Sequence, residues 1–389
     1  MIVTFPRLSV AAESLPLSIF ARLYEKLAGF AGDVIPLQIG DTYLMPPPAG
    51  RLAQQPYADD RDLYAYGPAP GWAPLVAALT EKVRTHNRIP VEDGGIQVTA
   101  GATHALACSV GALLDPGDEI ILLTPHWPLI RGIAQSRSVV SIEVPFSQML
   151  LAEPGLDPYP LIARAVSART RAIYVCTPNN PDGLVLDEAA LAAIVRVAER
   201  AGLWVLSDEV YEHYTYDKPH VSIASLPGMA ARTLTVGSFS KSYGQAGLRV
   251  GYVAGPRPVI EAVRKMSNHS IYNVPHALQR AALAALREGS GFLDDARTRY
   301  RQARDRAIAA LAVPVRVPEG STYLFLDLAG HGCNADGCLP VLERIAAAGV
   351  LLAPGSPFGL AYADWARLCF TAVAEDRLLE GIDRINRVL

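Results

Sequence analysis

Apolar residues along this chain fall into two rhythms. In the middle stretch, short runs of Ile, Val and Leu stand between longer segments whose apolar positions recur every three or four residues. Four runs read as strands, of which the first is EIILL, Glu119 to Leu123. The others are Ala172 to Cys176, Leu203 to Ser207 and Thr233 to Gly237. Each is apolar throughout rather than alternating, as parallel strands covered on both faces are. Between them lies EAALAAIVRVAERA, Glu188 to Ala201, with Asp187 at the N-cap position and Gly202 just past the end. Another helix runs from about Ala102 to Leu114, before the turn DPGD. This alternation predicts an α/β domain with a mostly parallel sheet flanked by helices.

The last quarter reads differently. Leu293 to Ala312 predicts a long helix and Thr322 to Leu328 a strand. Leu339 to Ala348 is a helix stopped by Gly349, and a closing helix starts near Glu375. We expect a large domain at 46–285, and a smaller α+β domain built from 286–389 joined by 1–45. No internal repeat or low-complexity tract interrupts the pattern.

Composition narrows the function. At roughly 150 residues per domain, 389 residues accommodate two or three domains. Half the residues are hydrophobic and 19% are charged, which excludes a disordered or collagen-like chain. Lys plus Arg is 35 and Asp plus Glu is 38, a net charge of −3. The basic surplus that a nucleic-acid partner requires is missing. Mean hydropathy is +0.19, which raises the question of a membrane. The longest apolar runs, such as Val250 to Gly255, fall far short of the roughly 20 residues a spanning helix needs. The opening MIVTFPRLSV lacks a basic start followed by a long apolar run, so no secretory leader is expected. Cys108, Cys176, Cys333, Cys338 and Cys369 are odd in number and scattered, which suits reduced thiols in a cytoplasm. His331, Cys333 and Cys338 share the loop HGCNADGC, but a second ligand pair is lacking and no metal is expected.

The chemistry collects after the strands. Ligands in open α/β sheets bind beyond the carboxyl ends of the strands. Here the four runs lead into Thr124-Pro125-His126-Trp127-Pro128, Thr177-Pro178-Asn179-Asn180-Pro181-Asp182-Gly183, Asp208-Glu209-Val210-Tyr211 and Ser238-Phe239-Ser240-Lys241. With parallel strands, all four clusters share one edge and form an active site. The last continues as SFSKSYGQAGLRVGY, in which Ser238, Lys241, Arg249 and Gly251 make S-x-x-K-x7-R-x-G.

That pattern, with further motifs in order from Gly40 to Arg367, resembles the fold-type I pyridoxal-phosphate enzymes of the class I/II aminotransferases. The resemblance implies pyridoxal 5'-phosphate as cofactor and Lys241 as the amine that forms a Schiff base with it and then carries protons. Asp208 would face the pyridine nitrogen, while Asn180 and Tyr211 would donate to the phenolic oxygen and Trp127 would stack on the ring. Gly101, Ala102 and Thr103 would meet the phosphate at a helix N-terminus, with Ser238 and Arg249. Tyr66 in YGPAPG resembles a tyrosine that reaches the phosphate from a neighbouring subunit, which implies a homodimer. Arg367 in RLCF resembles the arginine that binds the substrate carboxylate. Gly40 matches a glycine at the substrate, and Tyr43 and Tyr323 are candidates for the side-chain pocket. Two departures stand out. Asp182 replaces the usual Thr of the Asn-Pro turn, and Thr103 sits where some aspartate-selective relatives carry lysine, which weakens a dicarboxylic substrate.

The implied reaction moves an amino group between an α-amino acid and a 2-oxo acid. Elimination, cyclisation and replacement begin from the same cofactor chemistry and stay open. Ser238-x-x-Lys241 also matches the nucleophile motif of penicillin-binding proteins, but the companion Lys-Thr-Gly is absent from the chain. A regulatory cofactor-binding module would need a basic DNA-binding segment, and none stands at the N-terminus.

Overall fold

The computed structural model describes residues 6–15, 21–27, 30–57 and 60–389. Residues 1–5, part of the stretch read for a leader, lie outside them. In chain order the strands are β1 (Ile35–Pro36), β2 (Ile96–Thr99), β3 (Glu119–Leu123), β4 (Val140–Val144), β5 (Thr170–Cys176) and β6 (Trp204–Asp208). They continue with β7 (Thr233–Ser238), β8 (Gly251–Ala254), β9 (Tyr323–Asp327), β10 (Val350–Leu351), β11 (Ala353–Pro354) and β12 (Trp365–Cys369).

Seven strands form the main sheet in the order β2-β8-β7-β6-β5-β3-β4. Pairs β3/β4, β3/β5, β5/β6 and β6/β7 are parallel, and β8 runs antiparallel to both neighbours. The all-apolar runs split their side chains between two cores. Ile120, Leu122, Ala172 and Tyr174 face one cluster with Leu106 and Ile130. Ile121, Ile173 and Val175 face the other, with Ile194 and Val197 of the Glu188–Ala201 helix. The apolar side chains in the middle of these strands are therefore removed from water, at about 1.5–3 kcal/mol for each large one, whereas Leu123 and Trp204 at the strand ends are partly buried. The helix between β5 and β6 obeys its local signals. Asp187 accepts a bond from the Ala190 N–H at 2.9 Å, and Gly202 takes the left-handed C-cap at φ +66°.

Three strands of this sheet were not read from sequence, so EIILL is not its first. β2 is only four residues long and runs almost directly into the Gly101–Leu113 helix. β4 is a half-exposed edge strand, V-S-I-E-V, without a solid apolar run. β8 (Gly251–Ala254) lies inside the Val250–Gly255 run. Boundaries elsewhere move by a few residues: the long helix is Ser290–Ala310, and the strand expected from Leu203 starts at Trp204.

A second, antiparallel sheet has the order β11-β12-β9, and β1 pairs with β10. Leu23, Ile35 and Leu37 from the start of the chain pack in one core with Leu324, Leu326, Ile345, Val350, Leu368 and Ile382 from its end. No helix among the described residues is long and apolar enough to cross a membrane.

Candidate active site

The parallel pairing carries β3, β5, β6 and β7 to one edge, and their carboxyl ends surround a cavity. Trp127, Asn180, Asp208, Tyr211, Ser238, Lys241 and Arg249 line it, together with Ala102 and Thr103. Nine residues from five segments, spread over nearly 150 positions, thus share one hollow.

Asp208 is the last residue of β6 and is buried. The Tyr174 hydroxyl donates to its Oδ2 at 2.8 Å, while Oδ1 is buried without a hydrogen-bond partner. Buried carboxylate oxygens are rarely left so, because each unmet acceptor costs about 1–3 kcal/mol. Burial raises the Asp208 pKa to about 6, against the lowering effect of the Tyr174 bond. A group that brings a cationic N–H against Oδ1 satisfies both the charge and the lone pair.

This shift has a measurable consequence. Because the folded-state pKa is raised, the stabilising contribution is full below about pH 4 and is lost as pH rises through about 6. We expect cofactor-free protein to lose about 3 kcal/mol relative to Asp208→Asn between pH 4 and pH 7. Urea unfolding at several pH values measures it, and parallel stability curves for the two proteins would contradict it.

Ser238 ends β7 and caps the short helix Phe239–Ser242 that carries Lys241. Its Oγ accepts from the Ser240 N–H at 3.1 Å. Lys241 projects into the cavity, and its Nζ donates to the Gly40 carbonyl. Arg249 sits at φ +53° after a turn of 3-10 helix, with Nη1 2.8 Å from the Ala246 carbonyl. Neither Lys241 nor Arg249 has an ion-pair partner among the described residues. The Gly101–Leu113 helix opens beside Arg249. Gly101 has φ +76°, and a side chain there would collide with the guanidinium. A Cβ at Gly251 would stand 2.7–2.9 Å from the backbone of Gly101 and Ala102. The glycine that closes the S-x-x-K-x7-R-x-G pattern is therefore what lets β8 pass under the helix start. Free N–H groups, the helix dipole and an exposed guanidinium together make an anion site.

Arg367 lies on β12, 8% exposed. Nη1 donates to Asn180 Oδ1 at 2.9 Å and Nη2 to the Gln38 carbonyl at 2.7 Å, while Nε is buried without a partner. The guanidinium lies 4.2 Å from the Tyr323 ring centroid and 5.1 Å from that of Phe358. It has no carboxylate partner among the described residues. A buried cation without a counter-charge is costly. The planar fork is suited to a carboxylate from outside the chain. Tyr323 Oη is 2.7 Å from Tyr211 Oη, and burial drives the Tyr211 pKa well up. Gly40 lies against Tyr323, where a Cβ would strike the hydroxyl. The Gln38–Gly40 backbone thus joins the Arg367 end of the site to the Lys241 end.

Two expected residues stand apart. Tyr43 is 37% exposed and lies outside the cavity lining. Tyr66 is 88% exposed, with its ring 5.0 Å from that of Tyr272. Four lining residues were missed, namely Cys176, Val210, Ser240 and Ala246. Ser240 had a signal, since it lies inside the S-x-x-K pattern. Its Oγ takes a bond from Ser238 Oγ at 2.9 Å. Tyr174 had none, being one apolar residue among others in its strand. In the HGCNADGC loop, the thiols of Cys333 and Cys338 donate to the carbonyls of Leu328 (3.0 Å) and Trp365 (2.9 Å).

Comparison with known proteins agrees with this geometry. The family described as aminotransferase class I and II matches residues 32–385. The aspartate/prephenate aminotransferase of Thermus thermophilus is 35% identical over 333 residues, 83% of each chain. The aspartate aminotransferase of Pyrococcus abyssi is 31% identical over 376 residues, 95% of this chain and 94% of that one. Among solved structures, Thermus thermophilus aspartate aminotransferase with maleate aligns at TM-score 0.89 and 30% identity, covering 99% of this chain and 100% of that one. Fold, sheet edge and sequence agree, and the chain belongs to the class I and II aminotransferases, pyridoxal-phosphate enzymes of fold type I.

Proposed function

We propose that the cavity beside Lys241 holds pyridoxal phosphate and that Arg367 and Gly40 bind the amino acid next to it. One observation carries this reading: a half-satisfied buried carboxylate and a lysine without a carboxylate partner share one sheet edge, and a buried arginine without a carboxylate reaches that edge at Asn180 from the second sheet. The donor set fits the cofactor. Asp208 Oδ1 suits the ring N–H, and Trp127 supplies a flat wall. Asn180 and Tyr211 supply polar groups at the phenolic side. Gly101, Ala102, Thr103, Ser238 and Arg249 suit the phosphate.

Bound there, pyridoxal phosphate supplies an aldehyde that takes up the donor's amine and a ring that holds the electron pair left as the α-proton departs. Lys241 Nζ takes that proton and returns it. The Gly40 carbonyl orients the lysine amine. Arg367 fixes the substrate carboxylate by its fork, so that the α-carbon meets Lys241 in one orientation. Asp208 would face the ring nitrogen, and a cation there would lower its pKa from about 6 and keep it ionised.

The relatives are named for aspartate, prephenate and aromatic amino acids. For this chain an α-amino acid donor and a 2-oxo acid acceptor follow from Arg367. Thr103 offers the lining a hydroxyl and no charge. We further infer a homodimer in which the exposed Tyr66 reaches the neighbouring subunit's phosphate. Tyr64, exposed as fully as Tyr66, and Tyr272 lie in the same region and support it. Five free thiols support a cytoplasmic setting. The division into 46–285 and the joined 1–45 and 286–389 is supported by the separate cores.

Mixed with a good amino donor and no acceptor, the loaded protein should convert its cofactor once to the amine form, and a 2-oxo acid should restore the visible band. Repeated release of ammonia with a 2-oxo acid, without an acceptor, would mean elimination instead.

A further inference from the structure

A second polar cluster lies outside the cavity beside Lys241. It forms where the Ala73–Thr85 helix ends against the segment that follows Tyr211. Lys82 and His86 are one helical turn apart on one face. Lys82 Nζ is 2.5 Å from Glu212 Oε1, and Asn87 Nδ2 donates to Glu212 Oε2 at 2.7 Å. His86 Nε2 stands 4.0 Å from Glu212 Oε2, and His213 Nε2 3.8 Å from Glu212 Oε1. The two imidazole rings are 4.9 Å apart. One ligating atom from each of His86, Glu212 and His213 lies within 4.8 Å of the others, the one such group among the described residues.

An independent observation marks the same place. The cluster opens on a cavity of about 490 Å³, which His220 and Asn87 also line. The His220 side chain is 8% exposed. Its Nε2 is bonded to Glu209 Oε2 at 3.0 Å, but its Nδ1 is buried without a partner. Asn87 Oδ1 is buried and unpartnered too. Orphaned polar atoms on two buried side chains are uncommon, and together they point to a polar ligand in the cavity.

We propose that His86, Glu212 and His213 form a binding site for a borderline divalent cation of the zinc class. Two imidazoles and one carboxylate suit such an ion, whereas magnesium and calcium prefer an all-oxygen shell. Three protein ligands leave a fourth position for water, which the open cavity admits and which His220 Nδ1 and Asn87 Oδ1 can hold. Metal–ligand lengths of about 2.0–2.2 Å bring donor atoms to about 3.5 Å apart. His86, half-exposed at the helix end, supplies the small movement required. Lys82 takes one lone pair of Oε1 and Asn87 one of Oε2, which leaves the second lone pair of Oε2 for the ion. Its charge opposes the cation and limits affinity to about the micromolar range. The ion would tie the helix end to the segment four residues beyond Asp208, and so stabilise the folded protein.

The test uses cofactor-loaded protein stripped by a chelator, titrated with Zn²⁺ in a calorimeter and followed by thermal unfolding. One equivalent per chain, micromolar binding, a raised Tm and an unchanged visible cofactor band are expected. His86→Ala and His213→Gln should each weaken binding at least about tenfold, and either one decides should the other fail to fold. Mg²⁺ should give no heat. Absent Zn²⁺ uptake at millimolar ion, or equally tight binding in a folded variant, would overturn the proposal.

Discussion

Replacing Lys241 by alanine should lower kcat by at least about 10²–10⁴-fold, the range associated with a positioned proton-transfer group. Among the described residues its Nζ is the one lysine amine that lines the cavity, and its one hydrogen bond is to the Gly40 carbonyl. Little of the fold depends on it, so Tm should stay close to that of the parent protein. The visible band should shift as well, because the amine proposed to bind the cofactor is gone. Lys241→Arg keeps the charge but should not rescue activity, since a guanidinium holds its proton at every accessible pH. Retained activity and an unaltered band in the alanine variant would remove Lys241 from the chemistry.

The second large effect is expected at Arg367. Truncating one partner of a buried charge pair costs about 2–5 kcal/mol. Arg367→Ala should therefore reduce kcat/KM for amino acids about 30- to 4,000-fold. Arg367→Lys should recover little, because an ammonium cannot make the two parallel bonds or lie flat on Tyr323. The informative comparison is a donor amine that lacks the carboxylate. With that donor the parent and Arg367→Ala should differ little, because the lost contact was never made. An equal loss for both donors would make Arg367 a structural residue that holds Asn180 and the Gln38 carbonyl.

Much of this could be read along the chain because the relevant physics is local. A buried parallel strand must be apolar on both faces, so β3, β5, β6 and β7 announce themselves without an alignment. The Glu188–Ala201 helix is bounded by a capping Asp187 and a left-handed Gly202, both short-range effects. β4 and β2 could not be read so easily. An edge strand shares its pattern with surface loops, and a four-residue strand lacks the length to show a period. Tyr174 illustrates another limit. Its role as donor to Asp208 depends on a neighbouring strand 34 positions away, and its own segment gives no hint of it.

The sequence by itself determined the α/β class and the cluster of polar residues after each strand, and its resemblance to the class I/II aminotransferases pointed to Lys241. These follow from composition, period and one spaced motif. Only the tertiary structure decided which buried atoms lack partners: Asp208 Oδ1, Arg367 Nε and the orphaned Nδ1 of His220. It also brought His86 to Glu212 and His213 across more than 120 positions, and set Tyr43 and Tyr66 outside the cavity. The reason is physical. Propensity and periodicity act over a few residues, whereas burial and the satisfaction of a polar atom are properties of the whole packed chain.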